Sequence, residues 1–357
     1  MKPQIRYPGF FDMAERAAKL TAMGDPLVGL NQQIDWEAFR SDLERVHQKP
    51  RKSAAGAKPK DVILMFKVLV LQPLHNLADE RLEYQIRDRL SFMRFLELEL
   101  EERVPDAKTV WLFRERLKHL NLVDVLFARF HEQLAEHGYV ARAGQMIDAT
   151  FVEVPRQRNS REENARIKAG ETPEEWQVPE AKAQLRQKDT DARWTQKNHE
   201  NHYGYKNHIN ADQEHKLVQS YAVTDASVHD SQVFEELLDQ GEDEEGTKRP
   251  VYADSAYRSK EKEAYLADAH IASHICEKGA RGHPLTDEQR AANKAKSRIR
   301  VRVEHVFAAQ AQMGGHVVRT IGLLRAQVKI GMMTLVYNRV RFGQLLKRDG
   351  RGASAVA

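Results

Sequence analysis

Three carboxylates stand inside otherwise apolar stretches of this 357-residue sequence. Asp148 lies in MIDATF, Asp254 in VYADSAY and Glu304 in VRVEHVF. An ionised carboxylate in an apolar element is costly to bury unless it is paired, hydrogen-bonded or bound to a metal ion. The three acids lie far apart along the chain, so they act together only in a fold that brings distant segments into contact.

Each acid also has a simpler explanation. Asp254, at the end of an apolar run, is typical of a residue that caps the next helix or forms a turn. Glu304 lies four residues after Arg300, which is the spacing of an ion pair along a helix. Three other acids flank a predicted hairpin and are alternatives for the same site: Asp212, Asp225 and Asp230.

If three acids meet, a hard divalent cation is their natural counterion, because Mg²⁺ prefers oxygen ligands. Two such ions about 3.5–4 Å apart can activate an attacking oxygen and stabilise a leaving oxygen in phosphodiester cleavage. Three arginines precede the glutamate on the same predicted helix: Arg298, Arg300 and Arg302. The residues therefore predict a three-carboxylate metal site beside an anionic polymer.

Positive charge is concentrated near the end of the sequence. The whole chain has a formal net charge of +4, whereas residues 281–350 carry 14 Lys and Arg against 4 Asp and Glu. A basic segment of this kind is typical of proteins that bind a polyanion, and a solvated helix face is the alternative.

Composition narrows the class of protein. The single cysteine, Cys276, excludes a disulfide framework and a cysteine-based zinc site, and it fits a reducing compartment. The longest apolar run, VILMFKVLVLQPL, is interrupted by polar residues and is shorter than the about 20 residues of a membrane helix. The first residues lack the apolar core of a signal peptide. We therefore expect a cytoplasmic protein that has no membrane partner.

Helical patterns dominate residues 61–140. DVILMFKVLVLQPL predicts a buried helix that begins near Asp61 and ends or kinks at Pro73. VPDAKTVWLFRERLKHL predicts a later, basic helix with Asp106 as its cap. Several short helices of this kind are typical of a helix-turn-helix-like DNA-binding module, and a plain helical bundle is the alternative.

From residue 141 the pattern changes to an α/β order. GQMIDATFVEVP predicts a strand, HYGYKNHINAD and KLVQSYAVTD predict a hairpin, PVYADSAY predicts another strand and IASHIC a short one. SQVFEELLDQG predicts a helix, and the stretch from TDEQR to QMGG predicts one long helix. Residues 156–200 are densely charged and predict an insertion, in which Trp176 and Trp194 are apolar anchors. This order favours a mixed sheet.

Taken together, IDAT, HYGYKNHIN, VTDASVHDSQVF, ADSAYRS and RVRVEHVFA resemble the motifs of the DDE transposases of bacterial insertion sequences, in the superfamily numbered four and five. The helical segments of residues 59–96 and 104–117 resemble the N-terminal domain of the five-type members. The resemblance runs from about residue 5 to residue 345. Arg300 and Glu304 keep the spacing of a Tyr, Arg, Glu, Lys signature of the four-type members, whereas Ser297 and Ala311 stand at its first and last positions.

The resemblance implies a ribonuclease-H-like mixed β-sheet core with flanking helices, preceded by an all-α N-terminal domain. Carried over position by position, it implies that Asp148, Asp254 and Glu304 are the catalytic and metal-binding acids, with Mg²⁺ or Mn²⁺ as cofactor. It also implies binding to terminal inverted repeats, metal-dependent cleavage of double-stranded DNA and attack of the freed 3′-hydroxyl on target DNA. A homodimer on DNA is expected, because two DNA ends must be brought together.

Four segments make up the predicted organisation: residues 1–60, an N-terminal segment and basic linker; residues 61–140, a helical, helix-turn-helix-like DNA-binding domain; residues 141–345, the catalytic domain with its charged insertion at 156–200; and residues 346–357, a tail. The predicted DNA contacts are Lys108, Arg114, Arg116, Lys118, Lys206, His208, Arg298, Arg300 and Arg302.

Two of these contacts have an open alternative. Lys206 and His208 alternate with their neighbours and so share one strand face, which we predict to line the DNA side near the acids. Buried, internally satisfied side chains are the alternative. At the level of the whole protein, the alternatives are a catalytically inactive DNA-binding regulator and a domesticated metal-dependent nuclease. The three intact acids disfavour the regulator, because negative charge near phosphate weakens DNA binding.

Overall fold

The computed structural model describes residues 11–48, 58–242, 246–280 and 282–351. Most of the predicted basic linker lies outside the described residues, as do Arg281 and the end of the predicted tail. The chain divides into two compact units, one formed by Met1–Leu120 with Phe342–Ala357 and the other by Asn121–Arg341. The predicted domain boundaries stay predictions.

The first unit is helical in the part that the structure describes. Its helices are α1 (Asp12–Ala22), α2 (Pro26–Gln32), α3 (Arg40–Leu43), α4 (Val62–Leu74), α5 (Asp79–Asp88), α6 (Leu90–Leu96) and α7 (Ala107–His119). As predicted, α4 begins next to Asp61, which caps it by accepting hydrogen bonds from the N–H groups of Ile63 and Leu64, and Pro73 lies in the last turn of this helix. Asp106 caps α7 in the same way, through the N–H of Thr109.

Helix α4 is buried almost all round, and this explains its continuous apolar sequence. Its one buried cation, Lys67, pairs with Glu97 at 2.7 Å and lies 5.4 Å from the ring centroid of Trp36. No single helix in the described ranges is long and apolar enough to cross a membrane; α4 and α5 reach that length and composition only as a pair, bent by 105°.

The second unit is a mixed α/β unit, as predicted. Its elements are α8 (Leu122–Glu136), β1 (Gln145–Glu153), α9 (Arg161–Lys168), α10 (Glu174–Gln177), α11 (Lys182–Leu185), β2 (Arg193–Lys197), β3 (Glu200–Asp212), β4 (Val218–Asp225), α12 (Phe234–Leu237), β5 (Val251–Tyr252), α13 (Lys260–Asp268), α14 (Asp287–Arg300), α15 (Arg302–Gln312) and α16 (Leu323–Arg348). The residues of α16 from Phe342 onward group with the first unit.

The five strands form one mixed sheet. Strand β1 is its centre: it pairs antiparallel with β3 on one side and parallel with β5 on the other. Strands β2 and β4 both pair antiparallel with β3, β2 along residues 200–204 and β4 along residues 205–211. The predicted insertion therefore contributes a strand, β2, to the sheet.

Gly204 allows β3 to lie close to β1. Its φ angle is +147°, and a Cβ atom built there would lie 2.3 Å from the carbonyl oxygen of Val152. Any side chain at this position would collide with the backbone of β1, so the pairing that positions β1 requires glycine.

Different helices cover the two faces of the sheet. Ile147 of β1 belongs to an apolar cluster that includes Phe234 of α12 and Leu266 of α13. Val152 of β1 belongs to a second cluster that includes Ile330 of α16. Because successive side chains of a strand point to opposite faces, this central strand is buried from both sides.

The prediction of one long helix near the end of the chain is wrong, because the structure has two helices. Helix α14 ends at Arg300 and α15 begins at Arg302, so Glu304 does not lie on the same helix as Arg300. β-branched residues occupy every second position across the break: Ile299, Val301 and Val303. Their restricted side-chain rotamers lower the helix propensity at this point.

Two other predicted elements are shorter than expected. The helix predicted in SQVFEELLDQG is reduced to a 3₁₀ turn and the four-residue α12. The carbonyl of Leu237 accepts hydrogen bonds from the side chains of Asn210 and Ser220 in the sheet, which takes it out of any longer helix. The strand predicted in IASHIC is residues 272–276, which run beside β5 through three backbone hydrogen bonds.

Candidate active site

Asp254 lies beside Asp148 in the register of the sheet. Strands β1 and β5 run parallel, and Gln145 pairs with Val251. The same offset brings Asp148 opposite Asp254, which follows β5 and keeps an extended backbone (φ −76°, ψ 164°). Opposite residues of paired strands point to the same face, so this register, continued two residues beyond β5, predicts one face for both carboxylates; the effect of the Asp254 charge on the pKa of Asp148 agrees with it. Asp148 and Asp254 are far apart in the chain because strands β1 and β5 are parallel and so are joined by a long connection.

Both oxygens of the Asp148 carboxylate are engaged. Oδ1 accepts a hydrogen bond from the N–H of Ala149 (2.9 Å), and Oδ2 accepts one from Nη1 of Arg300 (2.6 Å). Burial raises the pKa of the Asp148 carboxyl group; Arg300 opposes this rise, and the negative charge of Asp254 adds to it. The pKa of Asp148 therefore depends on the charge of Asp254 and on that of Arg300 from α14.

Arg300 also approaches the third acid. Its Nη2 lies 4.0 Å from Oε1 of Glu304, whose side chain is 59% exposed. The helical ion pair that the sequence left open is thus present, across the break between α14 and α15. One guanidinium group lies between the carboxylates of Asp148 and Glu304.

The donor set has the chemistry of a hard-cation site but not a closed geometry. Asp148, Asp254 and Glu304 offer only carboxylate oxygens, which Mg²⁺ and Mn²⁺ prefer. Among the described residues, no group of three or more His, Cys, Asp and Glu side chains is arranged so that it could hold a metal ion. The acids fit a divalent ion by their chemistry, and Arg300 is the side chain that now occupies the space between two of them.

Asp254 is also the helix cap that its position in the sequence suggested. Its side chain accepts a hydrogen bond from the N–H of Ala256, at the start of the 3₁₀ turn Ser255–Tyr257. The two interpretations of Asp254 are compatible, because the cap uses Oδ1 and fixes the direction of the carboxylate.

The competing acids each have a partner elsewhere: Asp212 pairs with His215 at 3.2 Å, Asp225 accepts hydrogen bonds from Ser227, and Asp230 pairs with Lys206 at 2.8 Å. These contacts are local to the β3–β4 hairpin and the turn that follows it.

Two residues near the acids were not predicted from the sequence. Tyr257 is buried, and its hydroxyl has no hydrogen-bond partner among the described residues. Burial raises its pKa well above the usual range, with additional contributions from Asp148, Asp230 and Asp254. Lys197 of β2 opposes the rise in the pKa of Asp148. The position of Tyr257 in ADSAY was a usable signal, whereas nothing in the charged insertion singled out Lys197.

The structure contradicts a DNA-facing position for Lys206 and His208. Nζ of Lys206 pairs with Asp230 and donates a hydrogen bond to the carbonyl of Val228 (2.6 Å). His208 is fully buried, with Nε2 2.9 Å from Oγ1 of Thr224. Ile209 of β3 pairs with Asp148 of β1 and shares its face of the sheet. Lys206 and His208 are an odd number of residues from Ile209, so their side chains point to the opposite face. The buried alternative is the observed one.

Arg300, a further predicted DNA contact, pairs with Asp148, and the remaining six fall into two groups. Arg114 pairs with Asp79 at 2.6 Å and Lys118 with Glu115 at 2.5 Å, so both are engaged within their own unit. The exposed members are Lys108 and Arg116 on α7, Arg298 on α14 and Arg302 on α15. All six residues are charged and lie in motifs, so the four exposed ones differ from Arg114 and Lys118 only in their access to solvent.

Comparison with known proteins gives two family matches, one in each part of the chain. The family model described as Transposase DDE domain matches residues 141–339, more than half of the chain. A second model, described as Transposase domain (DUF772), matches residues 15–116. Among solved structures, the chain is similar to a piggyBac transposase in a synaptic complex with hairpin DNA, at 11% identity over 91% of this chain and 76% of that chain, with a TM-score of 0.46.

Proposed function

Because this chain belongs to the family of transposases with a DDE domain, enzymes that cleave and transfer DNA strands, we propose that Asp148, Asp254 and Glu304 are its catalytic acids. The observation that carries the proposal is the register of β1 and β5, which brings Asp254 beside Asp148 although the family match says nothing of their positions. Glu304 is linked to Asp148 through Arg300, which contacts both carboxylates.

The DDE domain implies dependence on a divalent metal ion, and we propose Mg²⁺, with Mn²⁺ as a substitute, held by these three carboxylates. When bound, such ions activate the attacking oxygen and stabilise the leaving oxygen of a phosphodiester. The N–H groups of Ala149 and Ala256 orient the two aspartates. Exposed Glu304 supplies the third carboxylate from α15.

In the proposed reaction, water attacks phosphorus at the element end, the bond from phosphorus to O3′ breaks, and a 3′-hydroxyl is released. That hydroxyl then attacks a phosphodiester of target DNA, forming one phosphorus–oxygen bond as another breaks. Arg298 and Arg302 are exposed and close to Glu304 in sequence, and in this proposal they neutralise phosphate charge along the substrate.

We further propose that the sheet is a ribonuclease-H-like core. The support is its order, with central β1 antiparallel to β3, parallel to β5, and residues 272–276 beyond β5. The element ends would be terminal inverted repeats of a five-type insertion sequence, bound by a homodimer in the cytoplasm. In the first unit, Lys108 and Arg116 lie eight residues apart on the exposed face of α7 and are the candidate phosphate contacts there.

A cleavage assay tests the proposal, using double-stranded DNA that carries the inverted repeats flanking the gene. We expect cleavage at the repeat ends with Mg²⁺, and loss of cleavage in Asp148→Asn and Asp254→Asn. Asp268→Asn, an exposed acid on α13, is the matched control and should cleave normally. Persistent cleavage by Asp148→Asn would refute the assignment of the site, and normal DNA binding without cleavage by the wild type would favour the regulator.

A further inference from the structure

Arg300 binds the carboxylate oxygen that a metal ion would need. Oδ1 of Asp148 accepts the Ala149 N–H, and Oδ2 lies 2.6 Å from Nη1 of Arg300. The Arg300 side chain is only 21% exposed, so the contact is held between α14 and the sheet and does not belong to a freely moving surface chain. Its second nitrogen faces Glu304, a second acid of the proposed site.

A guanidinium group and a divalent cation cannot share this oxygen cheaply. Arginine keeps its positive charge at all relevant pH values. Two positive centres a few ångströms apart repel strongly, and partial burial weakens the screening of that repulsion. A cation that binds Asp148 through Oδ2 must therefore displace Arg300 or bind more weakly beside it.

A DNA phosphate is a good alternative partner for Arg300. Phosphate oxygens accept two parallel hydrogen bonds from a guanidinium group, as carboxylates do. Arg300 lies between two exposed arginines in sequence, Arg298 and Arg302, on the segment with the largest excess of positive charge. A phosphate of a bound DNA strand would thus compete with Asp148 and Glu304 for the guanidinium group of Arg300.

We propose that Arg300 is a positioning residue that couples DNA binding to metal binding, holding Asp148 until a DNA phosphate replaces the carboxylate as its partner. This inference rests on the proposed function, since it takes Asp148 as a metal ligand. It adds that the free enzyme binds metal weakly and that DNA and metal each tighten the binding of the other. Such coupling is reciprocal by thermodynamic linkage.

Mn²⁺ binding to the full chain, followed by electron paramagnetic resonance, tests this without any turnover. In the absence of DNA, Arg300→Gln should bind Mn²⁺ about tenfold more tightly than the wild type, because one neighbouring positive charge is gone. Adding a short blunt-ended DNA duplex should tighten Mn²⁺ binding to the wild type by about fivefold or more. The same duplex should tighten binding to Arg300→Gln clearly less.

Matched variants separate this inference from the assignment of the site. Arg290→Gln removes a positive charge from the same helix without touching Asp148 and should behave as the wild type. Arg300→Lys keeps the charge and should retain weak Mn²⁺ binding, which also guards against a misfolded glutamine variant. If Arg300→Gln folds and binds Mn²⁺ no more tightly than Arg290→Gln, the coupling is refuted while the site stands. If Asp148→Asn binds Mn²⁺ as the wild type does in the presence of the duplex, the site itself is refuted.

Discussion

The basic residues of β3 and those of the α14–α15 segment both belong to sequence motifs that resemble those of transposases, yet the first are buried and most of the second are exposed. Lys206 and His208 of β3 are buried; Lys206 contacts Asp230 and the carbonyl of Val228 in the turn after β4, and His208 contacts Thr224 of β4. Arg298 and Arg302 are exposed, and Arg300 contacts two acids of the proposed site.

The difference follows from where each segment lies. Strand β3 has β1 on one side and β2 and β4 on the other, and helices cover the sheet, so a long cation on it must find an internal partner. A helix at the edge of the fold buries one face and leaves the other in solvent. A cation in a motif therefore supports the core in one region and is exposed to solvent in the other.

The largest expected effect is on DNA cleavage and comes from substitution of Asp148. This residue lies on β1, which pairs with β3, and it contacts Arg300 of α14. Asp148→Asn should lower DNA cleavage by about a thousandfold or more, which corresponds to about 4 kcal/mol of barrier. Its fold should persist, because burial already disfavours the charged carboxylate. Single-turnover cleavage measures the activity, circular dichroism controls for folding, and a folded variant with normal cleavage would refute the assignment of Asp148 to the site.

The next effect tests the buried region. Lys206→Met should lower the free energy of unfolding by about 3 kcal/mol, because it leaves the partly buried charge of Asp230 without its partner. Lys294→Met, at an exposed position of α14, is the matched control and should change stability by less than about 0.5 kcal/mol. Urea unfolding measures both variants, and equal effects would mean that Lys206 is not a core residue.

The pH dependence of stability sharpens the same point. Burial lowers the pKa of His208 to about 4, with Asp230 opposing the shift and Lys206 adding to it. The unfolded chain takes up this proton near the ordinary value of about 6.5 and the folded chain only near 4, so stability falls as pH decreases between the two values.

For a full shift, His208 contributes a loss of about 3 kcal/mol. His131, whose pKa burial also lowers to about 4, adds a loss of the same sign. The raised pKa of Asp148 acts in the opposite direction, because the folded state then binds a proton more readily. Unfolding measured from about pH 7 to about pH 4.5 should be less pH-dependent in His208→Gln; an unchanged slope would contradict a buried, neutral His208.

The smallest effect belongs to the exposed arginines. Arg298→Gln should leave the free energy of unfolding within about 0.5 kcal/mol of the wild type. It should weaken DNA binding and reduce the slope of log affinity against log salt by about one, as for the loss of one phosphate contact. Fluorescence anisotropy over a range of salt concentrations measures the slope. A normal slope would exclude Arg298 from the DNA surface.

Local features of the sequence predicted much of the helical unit and of the sheet. Asp61 and Asp106 cap the helices that their positions indicated, and the hairpin of β3 and β4 forms where its alternation predicted. These elements depend on residues a few positions apart, so a local pattern contains the information. The break between α14 and α15 and the short α12 were missed, because contacts with distant residues decide where those helices end.

The sequence by itself determined the candidates for the chemistry: three acids in apolar elements and an arginine-rich segment beside the last of them. Only the tertiary structure decided how they are used. The parallel register of β1 and β5 brings Asp254 beside Asp148, and the position of α14 brings Arg300 between acids. Burial decided that Lys206 and His208 belong to the core. Register and burial arise from the packing of segments far apart in the chain, and no local pattern of residues encodes them.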